Sequence, residues 1–146
     1  MMDFFLEGIV CETGDISEKD VDELSPLVLA YIGDAVFELY IRTYLVCKGN
    51  SPVHALHKQA THYVKAKAQS DIIHVLIDFL TDEEKNIVRR GRNAKSNTIP
   101  KNADVTEYKY ATGFESLLGY LYLKKQYPRL MQVLGMSIAG HNIEEH

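Results

Sequence analysis

Cysteine is scarce in this chain: only Cys11 and Cys47 occur among 146 residues, and neither stands in a CxxC or Cys/His zinc spacing. A disulfide-stapled secreted scaffold is thereby excluded, and a reduced, cytoplasmic setting is expected. No stretch approaches the ~18 consecutive apolar residues of a membrane span, so no membrane partner is expected. Lys and Arg are missing from the first seven residues, where a signal peptide would need them. Sustained period-2 alternation is also missing, which argues against strands. Internal repeats and low-complexity linkers are absent, which argues against an array of domains. What is present is ordinary globular usage, 46% hydrophobic and 25% charged. The length suffices to bury a core without metal or disulfide staples. One all-α domain is the expectation.

Charge is unevenly spread. Residues 1–24 carry eight acids against Lys19 alone, although the whole chain has a net charge of only −4. Residues 85–101 hold six cations (Lys85, Arg89, Arg90, Arg92, Lys95, Lys101) and no acid. A phosphate backbone responds to that local field and not to the whole-chain pI. Taken alone, such a run reads more readily as a solvated loop.

Helix punctuation divides the chain. Ser25-Pro26 is an N-cap followed by proline at the first helical position, with Gly49 closing the segment. Ser51-Pro52 repeats the start signal for a helix toward Lys58, and a longer one follows through Tyr63 and Ile72 to Leu80. Thr81 and Glu84 have capping-box spacing, and that helix is predicted to fade near Gly91. Residues 92–103 read as a polar loop around Pro100. Asp104 starts a helix to about Gln126, and Pro128 starts a last one ending near Gly140. The boundaries predicted are an acidic N-terminal extension over 1–20, a body over 21–140 and a tail over 141–146.

Two acids stand where a core would not want them. On a wheel of the helix from Pro26, the residues Leu27, Ala30, Tyr31, Ile41 and Leu45 lie within about 60° of Asp34. The opposite side is also apolar, so this helix is predicted to be central. Glu38 shares the Asp34 stripe, with Arg42 four residues on to neutralise it. Glu115 edges the stripe of Phe114, Leu117, Leu118 and Leu121. A buried carboxylate costs several kcal/mol unless paired or bound to metal. Gly33 beside Asp34, and Ala111 and Gly119 around Glu115, suggest that something approaches closely. From patterning alone, salt-bridged core acids and a metal site are equally good readings. Should Asp34 and Glu115 converge, oxygen ligands of this hardness suit Mg²⁺ or Mn²⁺. His54, His57 and His62 lack an acid or cysteine to complete a zinc site. Tyr108, Tyr110, Tyr120, Tyr122 and Tyr127 read as core or interface residues.

Leu29-Ala-Tyr-Ile-Gly-Asp-Ala-Val-Phe-Glu38 resembles the signature helix of the ribonuclease III family, L-E-F-L-G-D-A-V-L. Gly113-Phe-Glu-Ser-Leu-Leu-Gly-Tyr-Leu-Tyr-Leu123 resembles that family's second motif, D-x-F-E-A-L-I-G-A-x-Y-L. Between them, Arg89-Arg-Gly-Arg-Asn-Ala-Lys-Ser and Pro100-Lys-Asn-Ala-Asp104 are similar to the loop and flanks of the Mini-ribonuclease III branch, whose members lack the double-stranded-RNA-binding domain. The likeness covers residues 22–140, and only six residues remain after Gly140.

The resemblance implies an all-helical homodimer that cuts double-stranded RNA with Mg²⁺, Mn²⁺ being a possible substitute. It implies that Asp34 and Glu115 are catalytic and hold the metal. Two further family acids are replaced here by Ala30 and Thr112, as is usual in the Mini branch. Glu38 is a supporting candidate only. With no separate RNA-binding domain, Arg90, Arg92, Asn93, Lys95, Lys101 and Asn102 are the candidates for backbone contacts, ahead of Lys58, Lys65 and Lys67. The branch implies maturation of large-subunit (23S) ribosomal RNA precursor, hence a pre-23S stem as substrate. Gly33, Phe37, Tyr40 and Tyr44 are candidates for the dimer contact. The alternative is a non-catalytic ribonuclease III-like domain that binds RNA as structure. Retention of both acids favours the enzyme.

Overall fold

A computed structural model describes residues 4–95 and 99–145, with side chains up to Asn142. Asp3 of the acidic stretch, residues 96–98 of the predicted loop and His146 lie outside the described residues. The described residues form α1 (Phe4–Glu12), α2 (Glu18–Glu23), α3 (Pro26–Lys48), α4 (Val53–Val64), α5 (Ala66–Leu76), a 3-10 turn (Ile77–Phe79), α6 (Asp82–Asn93), α7 (Val105–Leu123) and α8 (Tyr127–Glu145). No strand occurs among them, in agreement with the all-α expectation.

Capping chemistry sets three of the starts as the sequence predicts. The Val28 amide donates to Ser25 Oγ at 3.3 Å, ahead of Pro26. The Glu84 amide donates to Thr81 Oγ1 at 3.1 Å while the Thr81 amide donates to Glu84 Oε1 at 2.9 Å, a complete capping box. The Glu107 amide donates to Asp104 Oδ1 at 3.0 Å.

Other boundaries differ. The break predicted near Lys58 falls at Lys65, whose ψ of 154° is extended although neither glycine nor proline is at hand. Gly91 does not end α6: a methyl group there would lie 2.8 Å from Gly113 Cα, so this glycine serves the crossing of α6 over α7. The helix runs to Asn93, which moves Arg92 and Asn93 from the predicted loop into its last turn. α8 continues through Gly140 to Glu145. Packing carries it past the glycine, because Gly140 sits against Val75 and the buried His141 ring stacks on Tyr63 at 4.2 Å. The N-terminal segment docks as two helices, with Val10 and Val21 buried. Lys125 pairs with Asp15 at 2.8 Å and Lys124 with Asp22 at 2.9 Å, far along the chain from the basic segment.

α7 is the centre of the fold, buried without interruption from Ala111 to Tyr122 except at Glu115. It packs against α3, α5, α6 and α8. Phe37 of α3 meets Phe114 edge-on, with ring centroids 5.1 Å apart. Ser116 Oγ lies 2.8 Å from the carbonyl oxygens of both Pro26 and Thr112 and can donate to either. That contact ties the first turn of α3 to the middle of α7. Glu84, 4% exposed, accepts two hydrogen bonds from Arg129 of α8 at 2.8 and 2.7 Å, so its buried charge is matched.

Candidate active site

The glycines beside the two acids are occupied by backbone. A methyl group on Gly33 would lie 2.7 Å from the Glu115 carbonyl carbon and 2.8 Å from the Gly119 amide nitrogen. One on Gly119 would lie 2.8 Å from the Leu29 carbonyl carbon. What approaches closely is thus the other helix, not a ligand. The crossing brings Asp34, next to Gly33, alongside Glu115.

Both acids line one cleft of about 480 Å³, together with Tyr31, Gln69, Tyr108 and Thr112. The predicted burial of the Asp34 face holds for Ala30, Ile41 and Leu45 and needs correction elsewhere: Asp34 is exposed, as are Tyr31 at 81% and Leu27 at 38%. α3 is therefore not enclosed all round; one face opens on the cleft and another on an apolar groove. Gly33 and Phe37, candidates for a dimer contact, are buried inside the monomer, where α3 meets α7. Tyr40 and Tyr44 remain half-buried at the groove.

Electrostatics at the cleft follow from this convergence. Desolvation, then a hydrogen bond and charge repulsion from Asp34, push the Glu115 carboxyl up to about 9. Glu115 therefore holds its proton at neutral pH while no cation is present. A dication can take that proton's place, and this donor chemistry is what Mg²⁺ or Mn²⁺ accepts. Glu38 acts on Glu115 only through its charge and is paired with Arg42 at 3.1 Å. Thr112, at a family acid position, donates its hydroxyl to the Tyr108 carbonyl at 3.0 Å. Among the described residues no group of three or more His, Cys, Asp or Glu side chains is arranged to hold a metal. The cleft itself offers two carboxylates.

Sequence reading missed Gln69. Its side chain is 2% exposed, lies in the cleft and interacts with Glu115. No motif marks it, because the bend at Lys65 that turns α5 toward α7 has no glycine or proline to announce it.

The basic segment is split. Arg90, Asn93, Lys95, Lys101 and Asn102 are exposed, and Arg90, Lys95 and Lys101 enter no ion pair among the described residues. Arg92 is half-buried, donating to Tyr110 Oη at 3.1 Å with its guanidinium 5.3 Å from that ring's centroid. The ring also stacks against His74 at 4.3 Å. Lys67 is paired with Asp71 at 2.9 Å. Tyr120, Tyr122 and Tyr127 are buried in the core.

Residues 27–126 match the model of the Ribonuclease III domain. The chain belongs to the ribonuclease III family. It is 53% identical to a Mini-ribonuclease 3 of Thermoanaerobacter sp. (strain X514), over 94% of this chain and 96% of that one. It is 51% identical to a Mini-ribonuclease 3 of Enterococcus faecalis, over 82% and 92%. A crystal structure of a Fusobacterium nucleatum protein superposes with a TM-score of 0.74 at 36% identity, covering 83% of this chain and 97% of that one. Membership of the Mini-ribonuclease 3 branch makes the chain an endoribonuclease, and the ribonuclease III fold agrees with the observed helices. No helix among the described residues is long and apolar enough to cross a membrane.

Proposed function

We propose that this ribonuclease III family member cuts double-stranded RNA with a divalent cation, Mg²⁺ or Mn²⁺, held by Asp34 and Glu115. The observation that carries this reading is the convergence of those two carboxyl groups in one cleft, at the matching motif positions. When bound, a divalent cation supplies positive charge against a phosphate and acidifies water. Asp34, exposed on the cleft, and Glu115, as its deprotonated carboxylate, would hold the cation.

Arg90, Lys95 and Lys101 bind the duplex backbone with Asn93 and Asn102. A-form RNA is recognised through shape, phosphates and 2′-hydroxyls, for which these side chains are suited. Arg92 contributes through its stack with Tyr110, holding the end of α6 against α7.

A symmetric dimer completes the reading, because a duplex has two strands and one chain carries one carboxylate pair. The groove of about 500 Å³ lined by Leu6, Ile32, Val36, Leu39, Tyr40 and Met131 supports such a contact. Leu39 is 52% exposed there, and Phe4 and Phe5 nearby on α1 are also open. Such an apolar patch marks an interaction site, and a second copy is the common C₂ solution. A cytoplasmic setting and a pre-23S ribosomal RNA stem as substrate are the corresponding place and target.

The test is Asp34→Asn with a duplex RNA and Mg²⁺. Cleavage should vanish while duplex binding and the melting temperature hold. Turnover near that of the unaltered protein would refute the assignment.

A further inference from the structure

Gln69 is the polar group in the cleft that neither motif accounts for. It is 2% exposed and lines the cleft together with Asp34 and Glu115. Its side chain is held from α4, because Nε2 donates to the Val64 carbonyl at 2.9 Å. Val64 is the last residue of α4, where helix carbonyls have no amide of a next turn to accept from. The backbone is held as well: the Gln69 amide donates to the Lys65 carbonyl at 3.0 Å, just past the bend. The Val64 bond settles which end of the side-chain amide is which, since turning it over would set Oε1 against a carbonyl oxygen.

An amide nitrogen carries two hydrogens, and the Val64 carbonyl takes one of them. The donor end also reaches into the cleft, where Gln69 hydrogen-bonds the Glu115 side chain. Burial, Asp34 and the charge of Glu38 disfavour a carboxylate at Glu115, whereas the Gln69 donor favours it. Oε1, by contrast, is fully buried and accepts no hydrogen bond. A buried acceptor left unmatched is costly, and a native protein tolerates one where the rest of the group has a task. The task here belongs to the two N–H groups. A donor fixed on one carboxyl oxygen sets the rotation of the whole carboxyl group and leaves its second oxygen free. Carboxylates that hold metal ions are themselves held by such hydrogen bonds.

We propose that Gln69 is the positioning residue of Glu115, its Nε2 donating one hydrogen to the Val64 carbonyl and the other to the Glu115 carboxyl group. This inference deepens the cation reading above and rests on it for what the fixed carboxyl is for. Gln69 holds no metal itself; it orients the group that does. It makes α5 a third helix that builds the site, and it gives the bend at Lys65 a purpose, since that bend brings the end of α4 and Glu115 within reach of one amide.

The first measurement needs neither a variant nor a metal. In ¹³C,¹⁵N-labelled protein, NMR couplings through hydrogen bonds should join Gln69 Nε2 to the Val64 carbonyl carbon and also to Glu115 Cδ. A coupling to Val64 without one to Glu115 makes Gln69 only the cap of α4 and overturns the proposal. The second is Mn²⁺ binding by electron paramagnetic resonance on the full chain, for the unaltered protein, Gln69→Met and Asp34→Asn. Methionine matches the length of glutamine and removes both N–H groups. Gln69→Met should weaken Mn²⁺ binding about tenfold, the low end of losses when a hydrogen-bond partner of a metal ligand is removed. Its kcat on duplex RNA should fall by a similar factor, with duplex affinity in the absence of divalent cation unchanged. Unchanged Mn²⁺ affinity in folded Gln69→Met overturns the proposal, and so does an equal loss of duplex affinity, which a general loosening of the cleft would produce. Unchanged Mn²⁺ affinity in Asp34→Asn overturns instead the cation reading beneath it.

Discussion

Gly33→Ala tests the crossing on which the site depends. By helix propensity alone the substitution would stabilise α3 by about 1 kcal/mol. The new methyl carbon, however, would stand 2.7 Å from the Glu115 carbonyl carbon and 2.8 Å from the Gly119 nitrogen. The Glu115 carbonyl oxygen lies nearer still; carbon atoms sit best about 3.5–4.0 Å apart, so α3 and α7 must separate by more than about 1 Å. Both obstacles are backbone, and no side chain can rotate out of the way. Overpacking costs about 1–3 kcal/mol and sometimes more. Here it also loosens Phe37 on Phe114, so the net loss should be about 2 kcal/mol, or a melting temperature lower by roughly 4–8 °C. Because the blocking group is Glu115's own carbonyl, the displacement also parts the two carboxylates. RNA cleavage should fall well below the melting temperature, and Mn²⁺ binding with it. Gly135→Ala is the control: nothing lies within 4 Å of a methyl there, so α8 should gain about 0.5–1 kcal/mol. A Gly33→Ala protein that melts and cuts like the unaltered one would refute the reasoning.

Three further outcomes follow from the same contacts. Arg129→Ala strands the buried Glu84, whose carboxyl the Arg129 hydrogen bonds hold below its usual range; unfolding in urea should show a loss of about 3 kcal/mol. Removing Arg90 and Lys95 together should weaken duplex RNA binding and lower the log–log salt slope by about one per phosphate contact, with little change in turnover at saturating RNA; loss of turnover alone would place these residues in the chemical step. For Glu115, the folded value of about 9 lies above the ordinary 4.5, so the folded, metal-free protein holds a proton that the unfolded chain releases. Stability from this group therefore falls as pH rises from about 4.5 to 9. Mn²⁺ affinity rises over the same window because the cation displaces that proton. Glu115→Gln should flatten the stability trend, and a trend that persists would assign it elsewhere.

The helix count around α3, α6 and α7, and the identity of the two acids, were legible in the chain because they depend on local chemistry. Ser25, Thr81 and Asp104 cap helices through their own side chains and the next turn's amides. Asp34 and Glu115 were legible because motif spacing marks them before any packing is known. Tertiary contact decided the rest. Gly91 and Gly140 looked like helix ends, yet Gly113 and Val75 pack onto them and the helices continue. Gly33 and Gly119 looked like room for a ligand and are instead the contact between α3 and α7. Whether Asp34 faces core or solvent depends on which residues of other helices cover it, which a helical wheel does not contain. Gln69 depends on a bend at Lys65 that no breaker residue signals, and on the Val64 carbonyl at that bend, which accepts from its side chain. Chain-local hydrogen bonding determines where a helix starts, while close packing between helices determines where it stops and which of its side chains meet.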